Sequence, residues 1–542
     1  MKNVATPTPD LDLNYGEVFT RRWVVDAMLD LAGYRATEDL TARTVVEPSI
    51  GSGAFWVPIV ERLVLSALAH RRDFVELAGC LRGFDLQTLH VDTCRKESVQ
   101  VLTRAGCDSE TADRLATTWL RATDFLLDDE PLEADLVIGN PPYIRWDDLT
   151  PPVAATYRHL WRTMQGRVDI YVGFYERGLS ILKPGGKLSF ICADRWMRNA
   201  YGADLRAFVT RHFAVEHVWQ MHDVDAFESE VSAYPAIVQI GAGSQGSVVV
   251  ADCGARFAGA DAQKLVAFDH GSTLTTDTFA AHRVEGWFSG VDLWPAGSPD
   301  RIALLEYLNE NFPPLEGTGV KVGIGIATGA DKSYIAPQDV DVESDRKLPI
   351  TMTNDVRAGS FKWGGKVLLN PWTAGGKLVE LADYPKLRAY FEGQPALRNR
   401  FVAKKNPAAW YRTIDKVNAS LTARPKLLLQ DMKAAITPVY EPGGHYPHHN
   451  LYYMVSDNWD LKVLGGLMLS RVAQAFIEAY GVRMRGGTLR FQSQYLRKIR
   501  VPQPNDIAPE VQAELRASFE ANDRDRATRA AERAYGLPVG AL

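Results

Sequence analysis

Residues 44–69 read TVVEPSIGSGAFWVPIVERLVLSALA: a short apolar strand, a turn with glycines at 51 and 53, and a helix. Glycines between a strand and a helix let the backbone approach a ligand closely. The same alternation continues on both sides. Upstream, residues 16–33 predict an extended turn into an amphipathic helix, with Thr20 as N-cap and Val24, Val25, Met28, Leu29 and Leu31 at helical spacing. Downstream, LRGFDLQ (81–87), RATDFL (121–126) and ADLVIGNPPY (134–143) read as strands or strand ends. YVGFYERGLSIL (171–182) then reads as a helix, KPGG (183–186) as a turn and KLSFICA (187–193) as a strand. Such alternation predicts an α/β fold, a doubly wound Rossmann-like domain whose ligands lie at the carboxyl ends of its strands.

A Gly-rich turn alone fits several nucleotide cofactors, and the acids break the tie. A pyrophosphate on a helix amino terminus wants bare N–H groups and positive potential. Here Glu47 stands just before the glycines, and Asp85 and Asp124 follow at later strand ends. Three carboxylates around one crevice repel a dinucleotide but suit a ligand with an ammonium, a sulfonium and a ribose diol, which is S-adenosylmethionine. In this reading Glu47 lies near the ammonium, Asp85 accepts from the ribose hydroxyls and Asp124 from the adenine amino group. Phe125 and Phe174 offer the adenine apolar faces, and Gly51 and Gly53 keep the turn bare.

Composition sets the bounds. The 542 residues carry a net charge of −5, ordinary hydrophobic and charged fractions, and five cysteines (Cys80, Cys94, Cys107, Cys192, Cys253) with no C-x-x-C pair. A disulfide framework and a Cys-rich zinc site are not expected. No apolar run of membrane-spanning length and no signal-like amino terminus is present, so a cytoplasmic location is expected. The average charge hides a division: residues 321–500 hold 27 Lys and Arg against 15 Asp and Glu, a net +12. A basic region beside an acidic one is the footprint of a polyanion partner next to a small-ligand site.

The expected organisation is a catalytic domain over 1–240, with an amino-terminal cofactor-contacting helix over 1–40, then a connecting region over 241–320. A basic, mixed α+β domain over 321–505 and a charged helix over 506–542 follow. Short β-like runs mark the basic region: KVGIGIAT (321–328), KVLLN (366–370), KLLLQ (426–430) and NLYYMV (450–455).

Asn140-Pro141-Pro142-Tyr143 follows the apolar run DLVIG directly. Pro-Pro alone means only extended backbone, but a chemical reading explains all four residues. An exocyclic amine conjugated to a purine is a poor nucleophile because its lone pair is delocalised. The Asn140 side-chain oxygen and the Pro141 carbonyl can each accept one N–H, drawing the nitrogen towards a tetrahedral shape and stabilising its developing positive charge. The prolines stiffen the loop, and Tyr143 offers a face for a flipped base. The methylated amine is acidic enough to lose its proton without a strong general base.

With these motifs in place, the chain resembles bacterial amino-methylating DNA methyltransferases of the adenine-N6 type, in the Taq-type, gamma motif order of restriction–modification systems. The resemblance runs through EVFT (17–20), EPSIGSGAF (47–55), GFDLQ (83–87), TDF (123–125) and DLVIGNPPY (135–143). It continues through GRVDIYVGFYERGLSILKPGGKLSFI (166–191), DAFESEVSAYPAIVQI (225–240), PKLLLQDMK (425–433) and LRFQSQYLRKIRVP (489–502). It implies cofactor contacts from Thr20, Glu47, Asp85, Asp124, Phe125 and Phe174, amine activation by Asn140 and Pro141, and base stacking on Tyr143 with Phe227 as a second aromatic contact. It also implies double-stranded DNA as substrate and a cognate restriction endonuclease or other defence-system protein as partner.

The basic domain would then supply phosphate and base contacts, with Lys332, Arg357, Lys433 and Arg490 as candidates. Two further patterns lie there: Asp415, Asp431 and Lys433 in a nuclease-like spacing, and HYPHHN (445–450) as a metal-like cluster. No nuclease-sized domain surrounds either, so both are expected to be DNA-facing loops and no metal is expected. Competing readings are an RNA adenine methyltransferase, a protein glutamine methyltransferase and a DNA-binding subunit of a larger defence complex.

Overall fold

The structure is a computed structural model that describes residues 19–229, 235–268, 271–285, 290–294, 299–481, 483–484, 488–538, 540 and 542. Residues 1–18 of the amino-terminal segment and 230–234 of the DAFESEVSAYPAIVQI stretch lie outside them. The chain divides into two compact units, Met1–Pro299 and Asp300–Leu542.

In the first unit the strands are β1 (Val45–Glu47), β2 (Leu81–Asp85), β3 (Leu120–Ala122), β4 (Ala134–Gly139) and β5 (Leu182–Ala193). They are followed by β6 (Ala214–Gln220), β7 (Pro235–Gly241), β8 (Val248–Cys253), β9 (Thr273–Thr275) and β10 (Phe279–Val284). All ten form one sheet in the order β3-β2-β1-β4-β5-β7-β6-β8-β10-β9. Strands β3, β2, β1, β4 and β5 are parallel neighbours, and β7 runs antiparallel between β5 and β6. The core of β4 is an unbroken apolar run because crossover helices cover both faces of such a sheet. Strand order reverses at the β1/β4 junction, the place where a crevice opens beyond the carboxyl ends.

The helices follow the sequence closely. Helix α1 (Arg22–Leu31) buries Val24, Val25, Met28 and Leu29. Helix α2 (Trp56–Ala69) buries Trp56, Ile59, Val60, Leu63 and Val64, and Trp56 Nε1 donates to Ser98 Oγ at 2.8 Å. Helices α3 (Thr88–Arg104) and α4 (Ser109–Trp119) complete the second crossover. Helix α5 (Pro151–Leu160) follows the Asn-Pro-Pro-Tyr loop, and α6 (Tyr171–Ser180) leads into β5. The five cysteines are free and buried.

Three expectations are corrected. Thr20 is not an N-cap: α1 starts after Arg21 without a side-chain cap, and Thr20 forms an antiparallel bridge to Phe227. Residues 241–320 are not a connecting passage, since VVVADC and FAAHRV add β8 and β10 to the sheet and the units part at Pro299/Asp300. The 506–542 segment is two helices, Pro509–Glu520 and Arg524–Ala534, broken where Asn522 takes φ +52° and Asp523 caps the second. Both helices pack, the second burying Ala527, Ala530 and Ala531. Val511, Leu515 and Phe519 are buried, and a Cβ at Gly465 would stand 2.7 Å from the Phe519 ring.

The second unit is α+β, as expected. A four-stranded sheet joins Val320–Ile324, Leu451–Ser456, Lys426–Gln430 and Val439–Glu441, and a second joins Ile335–Pro337, Lys366–Leu369, Lys347–Thr351 and Tyr446–Pro447. A three-stranded sheet joins Met432–Lys433, Thr488–Arg490 and Arg483–Met484. Counted by unit, residues 1–299 hold 28 Lys and Arg against 40 Asp and Glu, and residues 300–542 hold 33 against 26. No described helix is long and apolar enough to cross a membrane.

Candidate active site

A cleft opens at the carboxyl ends of β1, β2 and β4, where ligands bind in open α/β sheets. Eleven of the residues singled out from the sequence line it: Thr20, Glu47, Gly51, Asp85, Asp124, Phe125, Asn140, Pro141, Pro142, Tyr143 and Phe174.

Gly51 takes φ +51°, a left-handed conformation that disfavours a side chain, and no atom lies within 4 Å of where its Cβ would stand. Its N–H donates to Asp85 Oδ2 at 2.9 Å, so Asp85 braces the turn. Asp85 Oδ1 also accepts the Gln87 N–H at 2.8 Å, and His90 Nδ1 stands 3.3 Å from it. A carboxylate has about four lone-pair sites, which leaves Asp85 room for a ligand hydroxyl.

Glu47 is 1% exposed, and its Oε2 has no hydrogen-bond partner among the described residues. Burial, reinforced by the Asp85 charge, holds its carboxyl well above the usual carboxylate range. An unsatisfied buried carboxylate is among the costliest groups a fold can hold, and a cation in the cleft removes that cost. Asp124 is fixed by the Leu126 N–H on Oδ1 at 2.8 Å and the Tyr157 hydroxyl on Oδ2 at 2.6 Å. Its carboxyl is also raised by burial. Phe125 and Phe174 stack at 5.5 Å with 30° between planes, and the Arg177 guanidinium sits 4.6 Å over the Phe125 ring.

The Asn-Pro-Pro-Tyr loop forms another wall. Asn140 Nδ2 donates to Thr20 Oγ1 at 3.3 Å, and Ser49 Oγ donates to the Asn140 carbonyl at 3.1 Å. The amide is thereby oriented by the amino-terminal segment, which Arg21 N–H to Ala226 O (3.0 Å) and Glu228 N–H to Phe19 O (2.9 Å) tie to the segment after β6. The Tyr143 hydroxyl is buried without a partner among the described residues, and burial raises its pKa, while the residue as a whole is only half-buried.

Two predicted residues are not on the cleft wall. Gly53 faces inward, where its Cβ would meet Cys94 and Val57 at 3.2 Å. The Phe227 ring is 6% exposed within the hydrophobic core, because its backbone is paired with Thr20; Phe19 lines the cleft instead. Sequence reasoning missed Tyr157, which reaches Asp124 from α5, and His90, five residues beyond Asp85. His90 follows the acid in a short loop-to-helix step that a scan for charged neighbours would find; Tyr157 carries no such signal.

The candidates in the second unit are dispersed. Arg490 is ion-paired with Asp431, and Arg357 is exposed and donates to Asn354 Oδ1 at 2.7 Å. Lys332 is exposed on the short helix Asp331–Tyr334, and Lys433 pairs with Leu489 across the three-stranded sheet. Asp415 Oδ2 accepts the Ala327 N–H at 2.9 Å, so the nuclease-like acids serve separate structural partners.

An acid-lined cleft at the switch point of a Rossmann-like sheet, flanked by Asn-Pro-Pro-Tyr, defines a methyltransferase-type domain. Residues 69–227 match the Eco57I restriction-modification methylase family. The chain is 42% identical over 533 residues to the Type II methyltransferase M.XhoI of Xanthomonas vasicola, covering 96% of this chain and 97% of that one. It is likewise 42% identical over 529 residues to the Type II methyltransferase M.PaeR7I of Pseudomonas aeruginosa, covering 96% and 92%. The chain belongs to this family of Type II restriction–modification methyltransferases. Its fold is similar to that of the Type IIL restriction-modification enzyme MmeI, solved in complex with DNA, at a TM-score of 0.58 and 12% identity over 95% of this chain and 74% of that one.

Proposed function

We propose that the chain is a site-specific DNA methyltransferase that transfers a methyl group from S-adenosylmethionine to the exocyclic N6 of an adenine flipped from duplex DNA, as the modification partner of a restriction endonuclease. The observation that carries the reading is the convergence of the Asn-Pro-Pro-Tyr loop and three carboxylates on one cleft. The donor set fits the cofactor: the unsatisfied Glu47 oxygen calls for the ammonium, Asp85 has capacity left for a ribose hydroxyl, and the Phe125–Phe174 stack suits a purine. When bound, that cofactor supplies an electrophilic methyl group on a sulfonium.

The chain's own residues do the rest. Asn140 Oδ1 and the Pro141 carbonyl accept the two N6 protons, and Thr20 holds the amide in the orientation that makes this geometry available. These acceptors localise the amine lone pair and stabilise the positive charge that grows on it. Tyr143, on the cleft wall, stacks on the flipped base. The proton leaves the methylated amine for water or a nearby acceptor. The basic second unit, +7 overall, neutralises backbone phosphates.

Labelled S-adenosylmethionine offered with duplex DNA, ribosomal RNA or a glutamine-bearing protein factor tests the substrate class. Label in the DNA is expected, and label in RNA or protein alone overturns the reading.

A further inference from the structure

The geometry points to a divalent transition-metal site in the second unit, built by Asp331, His448 and His449. One nitrogen from each ring and one Asp331 oxygen all lie within 4.8 Å of one another. His448 Nε2 stands 3.0 Å from Asp331 Oδ2, and the two rings lie 4.1 Å apart with 53° between their planes. His448 is 2% exposed, and the Nδ1 atoms of both histidines are buried without a hydrogen-bond partner among the described residues.

Each such orphaned nitrogen carries an uncompensated desolvation penalty, and two side by side are an arrangement that native folds rarely keep without an occupant. The surrounding backbone is already fixed. The His448 N–H donates to Thr351 O at 3.1 Å, the His449 N–H to Ile326 O at 3.1 Å, and the Ile326 N–H to Pro447 O at 2.9 Å. Thr328, fully buried, donates from its hydroxyl to Asp331 Oδ1, turning Oδ2 towards His448. This is the supporting hydrogen bond that orients a ligating carboxylate.

Ligand atoms of a tetrahedral zinc ion lie about 3.3 Å apart, so side-chain rotation alone closes the set while the backbone stays put. Two imidazoles and one carboxylate select a borderline ion of the Zn²⁺ or Co²⁺ class over Mg²⁺ or Ca²⁺. Three protein ligands leave one position open, on the side where the Asp331 side chain is 41% exposed. The bound ion would staple the loop after strand Val320–Ile324 to the turn that precedes strand Leu451–Ser456.

The test uses the full, tag-free chain stripped with chelator and titrated with Co²⁺, a readout independent of methyl transfer. One equivalent should bind with visible ligand-field absorption, Zn²⁺ should displace it, and Tm should rise with Zn²⁺ concentration. Asp331→Ala and His449→Ala should each lose that equivalent, with folding verified by circular dichroism and His449→Gln used if the alanine variant unfolds. The site is refuted if the parent chain shows no saturable Co²⁺ absorption, as when a water bridges the three groups, or if the absorption survives in both variants.

Discussion

The two units treat their polar side chains differently. In the first unit, −12 overall, Glu47 Oε2 and the Tyr143 hydroxyl are buried without partners among the described residues, on the wall of one cleft. In the second, +7 overall, prominent charges are already engaged: Lys426 is buried against Glu441, and Arg490 is paired with Asp431. The contrast teaches where to look for chemistry. Groups left unsatisfied at a strand terminus are the ones the proposed cofactor reading uses, whereas a surface proposed to meet phosphates needs only solvated cations, and the internal pairs of the second unit hold its fold together. His448 and His449 depart from that pairing, since the Nδ1 atoms of both are buried without a partner among the described residues.

The largest effect that sharpens this contrast is expected at the loop. Asn140→Ala should lower methyl transfer by about 100- to 1000-fold, the cost of deleting one preorganised charge-stabilising group. Cofactor affinity, read by calorimetry, should change little. Equal losses in transfer and binding would make Asn140 a cofactor residue instead.

Glu47→Gln should weaken cofactor binding by about 10- to 150-fold, the worth of a hydrogen bond to a charged partner. It should also remove a pH dependence. The Glu47 carboxyl is raised by burial, so its contribution to the unliganded chain is complete below the ordinary carboxylate pKa and is lost as pH rises through the raised value. At neutral pH the unliganded variant should therefore melt no lower than the parent, and a thermal melt that falls sharply would show that Glu47 is a structural anchor. Cofactor binding by the parent should strengthen with rising pH over the same range.

Tyr157→Phe removes the hydroxyl that positions Asp124 and should cost cofactor affinity about 2- to 10-fold, with the Asp124 pKa moving further up. In the second unit, Arg357→Ala should reduce the salt slope of DNA affinity by about 1, the signature of one lost phosphate contact. Arg490→Ala should instead lower Tm, because it leaves Asp431 without its cation. An unchanged Tm together with a reduced salt slope would place Arg490 on the DNA.

Much of the first unit was legible because its signals are local. β1, β2, β4 and β5, the bare turn at Gly51 and the loop at Asn140 all follow from contiguous runs, and every acid placed at a strand end lines the cleft. What was not legible depends on long-range pairing. Thr20 resembles an N-cap, yet its bridge to Phe227, more than 200 residues away, sets its role and buries the Phe227 ring. Strands β8 and β10 escaped notice because they are short apolar runs in a Gly-, Ala- and Asp-rich stretch, with no turn-and-helix rhythm to frame them. The Asp331–His448–His449 cluster joins positions 117 residues apart through sheet geometry, so HYPHHN alone did not reveal its third member.

The proposed chemistry places the methyl group on the exocyclic N6 of an adenine. Duplex DNA incubated with the chain and labelled S-adenosylmethionine, then digested to nucleosides, should carry its label as N6-methyladenine at one short sequence. Label recovered in cytosine, or in no nucleoside at all, would contradict the account.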